Sequence, residues 1–408
     1  MLNIKRYLLG LIILSVVLLS ACKTGSSAGD ESATRTMIAG TAFAVAYTEA
    51  AIAVPDSTMT PPPPPPPAEN PATSAPVVPA VGFQTYAWNI EVIDEGKVGL
   101  YPSLVIDQSD NPQMIYMDDN RDILKMAKVK EDGTWGLQTF DSPNNDGYHG
   151  SLVIDDTGDQ HVCRFIHNLE YIVYISGAKW DVGPFITNVR AVDTTLQIDA
   201  DYNAHIVYFD TNSSELRYAI LQGAGWSTQI IANSTEEGVT FPFVLDATGQ
   251  AHVSYYDPAQ GLVYAIYSGG NWGFQVVDPG AGVGLYPSLA LDSEGQPHMS
   301  YFDSKSNTLK HAYWNGVMWD VQIVDQTGIF TSIALDAEDF VHISYYDQPE
   351  GNLKYALGSQ KQWVVYVVDS SLDVGLYSSL ALDSQGTPRI SYYDKKGRAL
   401  KFASATPQ

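Results

Sequence analysis

The sequence predicts an all-β fold, a seven-bladed β-propeller, and three repeating features predict it. A tryptophan recurs at intervals of 44 to 47 residues, at Trp88, Trp135, Trp180, Trp226, Trp272, Trp319 and Trp363. An aspartate that ends an apolar segment keeps the same period, at Asp107, Asp155, Asp199, Asp246, Asp292, Asp336 and Asp383. Each repeat also contains four short segments of alternating apolar residues. Four strands in about 46 residues is the unit of a propeller blade.

The fifth repeat shows the four segments clearly. They are Ser288–Asp292, His298–Asp303, Leu309–Trp314 and Trp319–Asp325, and we call them A to D from the innermost strand outward. All four are rich in β-branched and aromatic residues and are too short for a stable helix. The residues Ser293–Pro297 between A and B include a glycine and predict a hairpin turn.

The ends of the repeat region predict how the ring closes. The last repeat stops after its third segment, and its tryptophan segment is missing there. An extra tryptophan segment, Trp88–Asp94, stands before the first repeat. We therefore expect this N-terminal strand to complete the last blade as its outermost strand, because an unpaired edge would invite aggregation.

The N-terminal 21 residues have the character of a signal peptide. Lys5 and Arg6 precede an apolar run, Tyr7–Leu19, which is shorter than a membrane span requires. The run ends in Leu-Ser-Ala-Cys, which resembles the lipobox of bacterial lipoproteins. This resemblance implies that Cys22 is lipidated and that the protein is anchored to a membrane outside the cytoplasm.

Residues 22–83 form a predicted disordered linker, and residues 84–408 the predicted propeller. Ala, Thr, Ser and Pro dominate the linker, and the unbroken run Pro61–Pro67 favours an extended polyproline II conformation. The simplest interpretation is a spacer between the membrane and the propeller. A docking site for a proline-binding module is the alternative.

Charge and cysteine content exclude several functional classes. The formal net charge is −24, and loss of residues 1–21 removes Lys5 and Arg6 but no acid. Such an acidic surface disfavours nucleic acid and anionic lipid as partners. Cys22 and Cys163 are the two cysteines of the chain, so we expect no intrachain disulfide once Cys22 is lipidated.

The repeats resemble those of secreted bacterial propellers grouped with the sialidase-like (BNR) propellers. The resemblance rests on PSLALDSEGQPHMSYFD, NTLKHAYW and WDVQIVD, and it extends over all seven repeats. It implies a glycan-active hydrolase or lyase as one possible activity. The sialidase Asp-box, however, survives only in truncated form at Asp132–Trp135. The arginines after the linker stand at different repeat positions, unlike the sialidase triad: Arg121, Arg164, Arg190, Arg217, Arg389 and Arg398.

Two recurring polar positions predict structural roles. Strand B carries a histidine at one equivalent position in five repeats: His161, His205, His252, His298 and His342. Equivalent positions of different blades lie far apart, so we expect hydrogen-bonded spacers near the A–B turn and no shared metal. The segment Asp199-x-Asp201-x-Asn203 starts like a calcium loop, but Ala204 replaces the glycine that such a loop needs and Asp210 lies beyond a predicted strand, so we predict a hairpin.

Strand B also ends in an aspartate that we expect to pair with a cation on strand C. The aspartates are Asp118, Asp210, Asp257, Asp303, Asp347 and Asp394, and the cations are Lys125, Arg217, Lys310, Lys354 and Lys401. In the second repeat, Ile166 replaces the aspartate, and Arg164 and Glu170 predict a pair of reversed polarity.

One position varies in a way that indicates a binding site. It lies six residues before the strand A aspartate, where the chain enters the innermost strand, and should line the mouth of the central channel. Around the ring it holds Tyr101, His149, Asp193, Thr240, Tyr286, Phe330 and Tyr377. Blades 1, 5, 6 and 7 thus supply aromatic groups, and the neighbouring blades 2, 3 and 4 supply polar ones. Such a mixture suits a sugar or a peptide side chain, although aromatic packing of the rim alone is the simpler alternative.

These observations favour a non-enzymatic function. The sequence contains no nucleophile triad, zinc cluster or phosphate loop, so we predict no catalytic set, no metal and no cofactor. The leading hypothesis is a membrane-tethered, extracytoplasmic binding or scaffold lipoprotein that takes a glycan or an envelope protein at the channel mouth. The alternatives are the glycan-active hydrolase or lyase and a structural partner that assembles through its tryptophan-bearing rim.

Overall fold

The computed structural model describes residues 83–140, 148–165, 168–174, 180–183, 185–223, 225–233, 240–359 and 362–408, with backbone alone for 148–149, 174 and 180–182. These residues form 28 β-strands in seven four-stranded antiparallel sheets, a seven-bladed β-propeller, so the predicted fold is confirmed. The predicted signal peptide, the lipidation site Cys22 and nearly all of the linker lie outside the described residues. Among the described residues, no helix has the length and apolar character that crossing a membrane requires.

Strands A and B form the inner half of each blade, and the two middle strands, B and C, carry most of the buried side chains. The A strands are β2 (Val98–Ile106), β6 (Tyr148–Ile154), β10 (Ala191–Ile198), β14 (Phe243–Leu245), β18 (Val283–Leu291), β22 (Ile329–Leu335) and β26 (Val374–Leu382). The B strands are β3 (Pro112–Asp118), β7 (Gln160–Phe165), β11 (Ala204–Asp210), β15 (Ala251–Asp257), β19 (Pro297–Asp303), β23 (Val341–Asp347) and β27 (Pro388–Asp394).

Strand C of each blade is also largely buried, and strand D forms the exposed periphery. The C strands are β4 (Ile123–Val129), β8 (Leu169–Tyr174), β12 (Glu215–Gln222), β16 (Gly261–Ser268), β20 (Thr308–Trp314), β24 (Asn352–Ser359) and β28 (Ala399–Pro407). The D strands are β5 (Trp135–Thr139), β9 (Trp180–Val182), β13 (Gly225–Asn233), β17 (Asn271–Pro279), β21 (Trp319–Asp325), β25 (Gln362–Asp369) and β1 (Tyr86–Glu95).

The ring closes as the sequence predicts. Blade 7 has the strand order β26-β27-β28-β1, so the N-terminal strand is its outermost strand. In the β1–β28 ladder, Trp88 pairs with Ala405 and Val92 with Lys401. The A strands contact one another in sequence around the ring, and β26 contacts β2. The first and last strands of the chain therefore hold the circle together.

Hydroxyl groups on the A strands link neighbouring blades. The backbone N–H of Leu104 donates to Ser379 Oγ and that of Leu152 to Ser103 Oγ, both at 3.1 Å. The same bond recurs from blade 3 to blade 2, from blade 6 to blade 5 and from blade 7 to blade 6. Blade 4 departs from the repeat because Pro242 occupies the serine position, and its A strand is only three residues long.

The recurring tryptophan packs between blades. Six of the recurring tryptophan rings each meet an aromatic ring on strand C of the preceding blade edge-on, at centroid distances of 5.2 to 5.9 Å. The pairs are Trp88–Tyr355, Trp135–Phe402, Trp226–Tyr171, Trp272–Tyr218, Trp319–Tyr264 and Trp363–His311. Such pairs contribute about 0.5–1.5 kcal/mol beyond the area they bury. The period of the tryptophan is therefore the period of the blade interface.

Candidate functional site

Six of the seven A strands contain a bulge where the chain enters the centre of the ring. In six blades the A–B register shifts just before the A-strand serine or threonine, as between Leu285 and Ser288 in blade 5. The residue at the bulge has a φ of 50–56° at Tyr101, Asp193, Tyr286, Phe330 and Tyr377. Positive φ is unfavourable for bulky side chains and is tolerated where the surrounding structure enforces it, often at binding sites.

Four of the predicted site residues form a continuous line of rings, which we call the aromatic arc. Tyr286 and Phe330 have their ring centroids 4.6 Å apart, Phe330 and Tyr377 4.5 Å, and Tyr377 and Tyr101 4.3 Å. All four side chains are half-buried. The structure therefore brings together the aromatic residues that blades 5, 6, 7 and 1 contribute.

The arc is uncharged at neutral pH. Burial raises the pKa of the Tyr101 hydroxyl well above its ordinary range, and the neighbouring Tyr377 and the Asp193 carboxylate raise it further. Burial, followed by the effect of Tyr377, also raises the pKa of Tyr286. These hydroxyls are therefore hydrogen-bonding groups and not acids or bases.

The polar positions of the ring are less uniform. Asp193 has the same backbone conformation as the aromatic residues. Thr240 precedes its shortened strand, and its Oγ1 donates a hydrogen bond to the Pro287 carbonyl at 2.8 Å. The backbone of His149 lies in β6, but its side chain is outside the described residues. The structure places Asp193 and Thr240 at equivalent points of blades 3 and 4 and does not show them joined into one cluster.

The strand B histidines are structural, as predicted. In all seven blades the strand A aspartate caps the A–B hairpin: its Oδ1 accepts two backbone N–H groups at 2.7–3.0 Å. In blade 3 its Oδ2 lies 3.0 Å from His205 Nε2, and His205 Nδ1 lies 2.5 Å from the Tyr218 hydroxyl. The Asp199 segment is thus a hairpin. No group of three or more His, Cys, Asp or Glu among the described residues is arranged to hold a metal ion.

We expect the buried histidines to make stability depend on pH. Burial lowers the pKa of His205, against the opposing effect of Asp199, and His252, His298 and His311 are lowered likewise. The folded state keeps them neutral, whereas the unfolded chain binds protons near a pKa of about 6.5. Stability is therefore fully present above that pH and is lost as pH falls towards the folded-state pKa values.

The variant His205→Gln tests this dependence. Blade 1 already uses glutamine here, since Gln113 Nε2 donates to Asp107 Oδ2 at 3.1 Å. Urea unfolding between about pH 7.5 and about pH 5 should show a slope shallower by at most one proton, or about 1.4 kcal/mol per pH unit. An unchanged slope would contradict the assignment of this histidine to the proton uptake.

The predicted B–C ion pairs form in three blades. Lys310 lies 2.8 Å from Asp303, Lys354 lies 2.8 Å from Asp347, and Lys401 lies 2.9 Å from Asp394. The reversed pair of blade 2 also forms, with Arg164 Nε 2.9 Å from Glu170 Oε2.

The same prediction is wrong in blades 1 and 3. Asp118 binds Arg121 at 2.8 Å, and Lys125 instead reaches Asp94. Arg217 bonds to Glu215, two residues away on its own strand, and Asp210 accepts from Ser213. In both blades a closer or better-placed partner displaces the one that cross-strand spacing suggests.

Sequence reasoning missed a second acid at each lysine, and it comes from the neighbouring blade. The D-strand aspartate of the preceding blade accepts bonds from both a B-strand tyrosine and the C-strand lysine. Asp278, for example, accepts from the Tyr301 hydroxyl at 2.8 Å and from Lys310 at 2.9 Å. We call this group the inter-blade cluster, and equivalents are centred on Asp94, Asp325 and Asp369. Its signal in the sequence is an aspartate six residues after the tryptophan.

Comparisons with known proteins place the fold. No protein-family model and no curated protein sequence matches this chain. Among solved structures, YCF48 bound to D1 peptide matches with a TM-score of 0.54 and 12% identity, covering 80% of this chain and 97% of that one. An Aleuria aurantia lectin variant in complex with Fucalpha1-6GlcNAc matches at 0.49 with 14% identity, covering 68% and 96%. The polysaccharide lyase Uly1 matches at 0.49 with 8% identity, covering 81% and 94%. At these identities the similarity is one of fold.

Proposed function

We propose that the protein is a membrane-tethered, extracytoplasmic binding or scaffold lipoprotein that takes a glycan or an envelope protein at the mouth of its channel. The observation that carries the proposal is the aromatic arc, in which Tyr286, Phe330, Tyr377 and Tyr101 lie in successive contact. The lipobox-like sequence at Cys22 supports the tether.

The arc offers the surface that such ligands need. Its half-buried rings present apolar faces on which a sugar ring or an aliphatic or aromatic side chain can stack. At each bulge the backbone of the aromatic residue has a φ of 50–56°, and this fixed backbone sets the direction of the side chain before a ligand binds. Such preorganisation reduces the conformational entropy lost on binding. The Asp193 carboxylate and the tyrosine hydroxyls supply hydrogen-bonding groups at the same level of the ring.

Both ligand classes are compatible with this surface. YCF48, which has the propeller fold, is known in complex with a peptide, so a protein partner belongs in any screen. The net charge of −24 argues against nucleic acid as the ligand.

We expect the double variant Tyr286→Ala, Tyr377→Ala to weaken ligand binding at least tenfold, since each stacked ring contributes about 1 kcal/mol or more. The chain from residue 23 onward keeps every described strand and suits a glycan array, followed by calorimetry with cell-wall fragments and envelope proteins.

Phe274→Ala is the matched control, because Phe274 is a 50% exposed aromatic residue on the outer rim of blade 4. Binding that survives the double variant unchanged would remove the channel mouth as the site. Turnover of a glycan by the same protein would replace the binding function with the hydrolase or lyase.

A further inference from the structure

One loop at the channel mouth departs from the charge of the rest of the chain. We call it the basic loop, Lys395–Arg398, and it joins strands B and C of blade 7. Such loops lie at the mouth end of each blade, because strand A leads away from the mouth and strand B returns to it. The basic loop carries Lys395, Lys396 and Arg398, whereas no other loop between a B and a C strand carries more than one lysine or arginine. In a chain with a formal net charge of −24, this loop reverses the sign of the charge locally.

Backbone hydrogen bonds fix the basic loop beside two strands of the aromatic arc. Lys395 N–H donates to the Asp373 carbonyl at 2.9 Å, and Asp373 stands four residues before Tyr377. The last carbonyl of the loop accepts from Lys97 N–H at 2.8 Å, and Lys97 stands four residues before Tyr101. Four residues span at most about 14 Å. A ligand a few sugar residues long can therefore contact both the loop and these two rings.

The cations of the basic loop are accessible to a ligand. All three residues are exposed, and none forms an ion pair with another described residue. The neighbouring carboxylates have partners of their own: Asp394 lies 2.9 Å from Lys401, and Asp373 accepts from the Tyr346 hydroxyl at 3.1 Å. An anionic group can therefore reach each cation of the loop without breaking an ion pair of the folded protein.

The basic loop sets the charge that a ligand meets on this side of the mouth. In the adjoining loops of blade 1, Lys97 lies 3.3 Å from Asp119 and Arg121 lies 2.8 Å from Asp118, so these cations are balanced by acids. The carboxylate among the mouth positions, Asp193, belongs to blade 3, which is three blades away from blade 7. More distant acids are screened, because the Debye length is about 8 Å at physiological ionic strength.

The basic loop and the aromatic arc together suit a sugar chain with anionic groups. Arg398 offers paired N–H donors that match a carboxylate or a sulfate, and the two lysines offer ammonium groups. A single exposed ion pair contributes little, so recognition requires the rings as well. The rings of Tyr377 and Tyr101 lie 4.3 Å apart and offer stacking faces to the sugars. An acidic peptide presents its charges on flexible side chains, whose ordering costs more entropy.

We propose that the ligand at the channel mouth is an acidic glycan, whose carboxylate or sulfate groups bind the basic loop while its sugar rings stack on Tyr377 and Tyr101. This inference rests on the proposed function of the channel mouth, and it adds the class and the orientation of the ligand. The charged part of the glycan lies over blades 7 and 1, away from Asp193 of blade 3.

Calorimetry on the chain from residue 23 onward tests the charge of the ligand with matched probes. Tetragalacturonate is compared with its methyl ester, and a κ-carrageenan tetrasaccharide with its desulfated form. We expect at least one acidic probe to bind and its neutral counterpart to bind at least tenfold more weakly. The acidic probe that binds identifies the anionic group as a carboxylate or a sulfate.

The triple variant Lys395→Gln, Lys396→Gln, Arg398→Asn removes the charge of the basic loop and keeps its backbone. Blade 5 has Asn307 at the position of Arg398, with a φ of 56° against 55°, so asparagine accepts this left-handed conformation. We expect binding of the acidic probe to weaken at least tenfold while the thermal midpoint stays unchanged. Lys130→Gln is the control, because Lys130 is an exposed cation of the C–D hairpin of blade 1, at the end of the blade opposite the mouth.

The outcomes separate this inference from the function on which it rests. Equal binding of an acidic probe and its neutral counterpart, or full binding by the triple variant, overturns the inference. Loss of that same binding in the variant Tyr286→Ala, Tyr377→Ala would still support the channel mouth as the site. Tighter binding of tetraglutamate than of either acidic glycan would show that the ligand is an acidic peptide. If no acidic probe binds but another ligand binds at the arc, the inference fails alone, and if nothing binds, both fail.

Discussion

We expect Asp369→Ala to lower the free energy of unfolding by about 2 to 4 kcal/mol, because it leaves a buried hydroxyl without an acceptor and removes one of the two carboxylates around a buried ammonium group. Asp369 accepts from the Tyr392 hydroxyl at 2.7 Å, from Ser371 Oγ at 2.6 Å and from Lys401 Nζ at 3.2 Å. Tyr392 is fully buried, so alanine leaves its hydroxyl without an acceptor in the interior, and Lys401, which is only 9% exposed, keeps Asp394 but loses one of its two carboxylates.

The same carboxylate adds to the acid sensitivity of the fold. Burial by itself raises the pKa of Asp369, but the hydrogen bonds from Ser371 and Tyr392 and the charge of Lys401 outweigh it, so the pKa is lowered. The stability that Asp369 contributes is therefore present above the unfolded-state pKa of about 3.9 and is lost as pH falls through the lower folded-state value.

Urea unfolding at neutral pH measures the loss for Asp369→Ala. Asn233→Ala is the control. Blade 3 has Ala232 at the position of the aspartate and blade 4 has Val263 in place of a lysine, so the exposed Asn233 next to Ala232 belongs to no inter-blade cluster, and its removal should cost about 0.5 kcal/mol or less. Adding Tyr392→Phe to Asp369→Ala should recover part of the stability, since the buried hydroxyl that has lost its acceptor is then removed. Equal stability of Asp369→Ala and Asn233→Ala would show that the inter-blade cluster is not a stabilising element.

The sequence predicted the fold well because its periodicity has two levels. Alternation along each segment identifies strands, and the spacing of Trp88 from the other tryptophans shows that the N-terminal strand belongs to the last blade. The periodicity also explained the strand B histidines. Because equivalent positions of different blades lie far apart, each histidine, such as His205, must find its hydrogen-bond partners within its own blade, and the structure shows that it does.

Contacts between blades were harder to predict because the period locates a residue but not the neighbour that it faces. Asp118 stands seven residues before Lys125 and on the neighbouring strand of its own blade, yet in the structure Lys125 pairs with Asp94 of the adjacent blade and Asp118 pairs with Arg121. The channel mouth was likewise predicted only in part. The repeat position identified Tyr286 and Tyr377 as neighbours of the channel, whereas the bulges in strands β18 and β26 that bring these side chains together are seen only in the pairing of the strands. The replacement of a tyrosine by His311 could not be recognised from the sequence, because it matters only in relation to the hydrogen bond that Tyr355 and its equivalents make to the strand B histidine.

Removal of the closing strand should have the largest effect of any change considered. A chain that begins at residue 96 lacks β1, which pairs with β28 from Tyr86 to Glu95. It loses the buried Ile93, the Trp88–Tyr355 contact at 5.3 Å, and Asp94, which binds Tyr116 and Lys125 of blade 1. The loss of Asp94 alone should cost about 3 to 5 kcal/mol. The total is comparable with the whole stability of a domain, about 5–15 kcal/mol.

We therefore expect the chain from residue 96 to aggregate or to remain unfolded, whereas the chain from residue 83 keeps the stability of the longer protein. The exposed edge of β28 should accept a synthetic peptide of residues 83–95 as an added strand, which restores a soluble, cooperatively unfolding protein. A peptide carrying Asp94→Ala should restore it less well, because Lys125 then lacks its acceptor. A soluble monomer from residue 96 with an unchanged thermal midpoint would mean that the ring is held by its inner strands alone, through bonds such as Leu104 N–H to Ser379 Oγ.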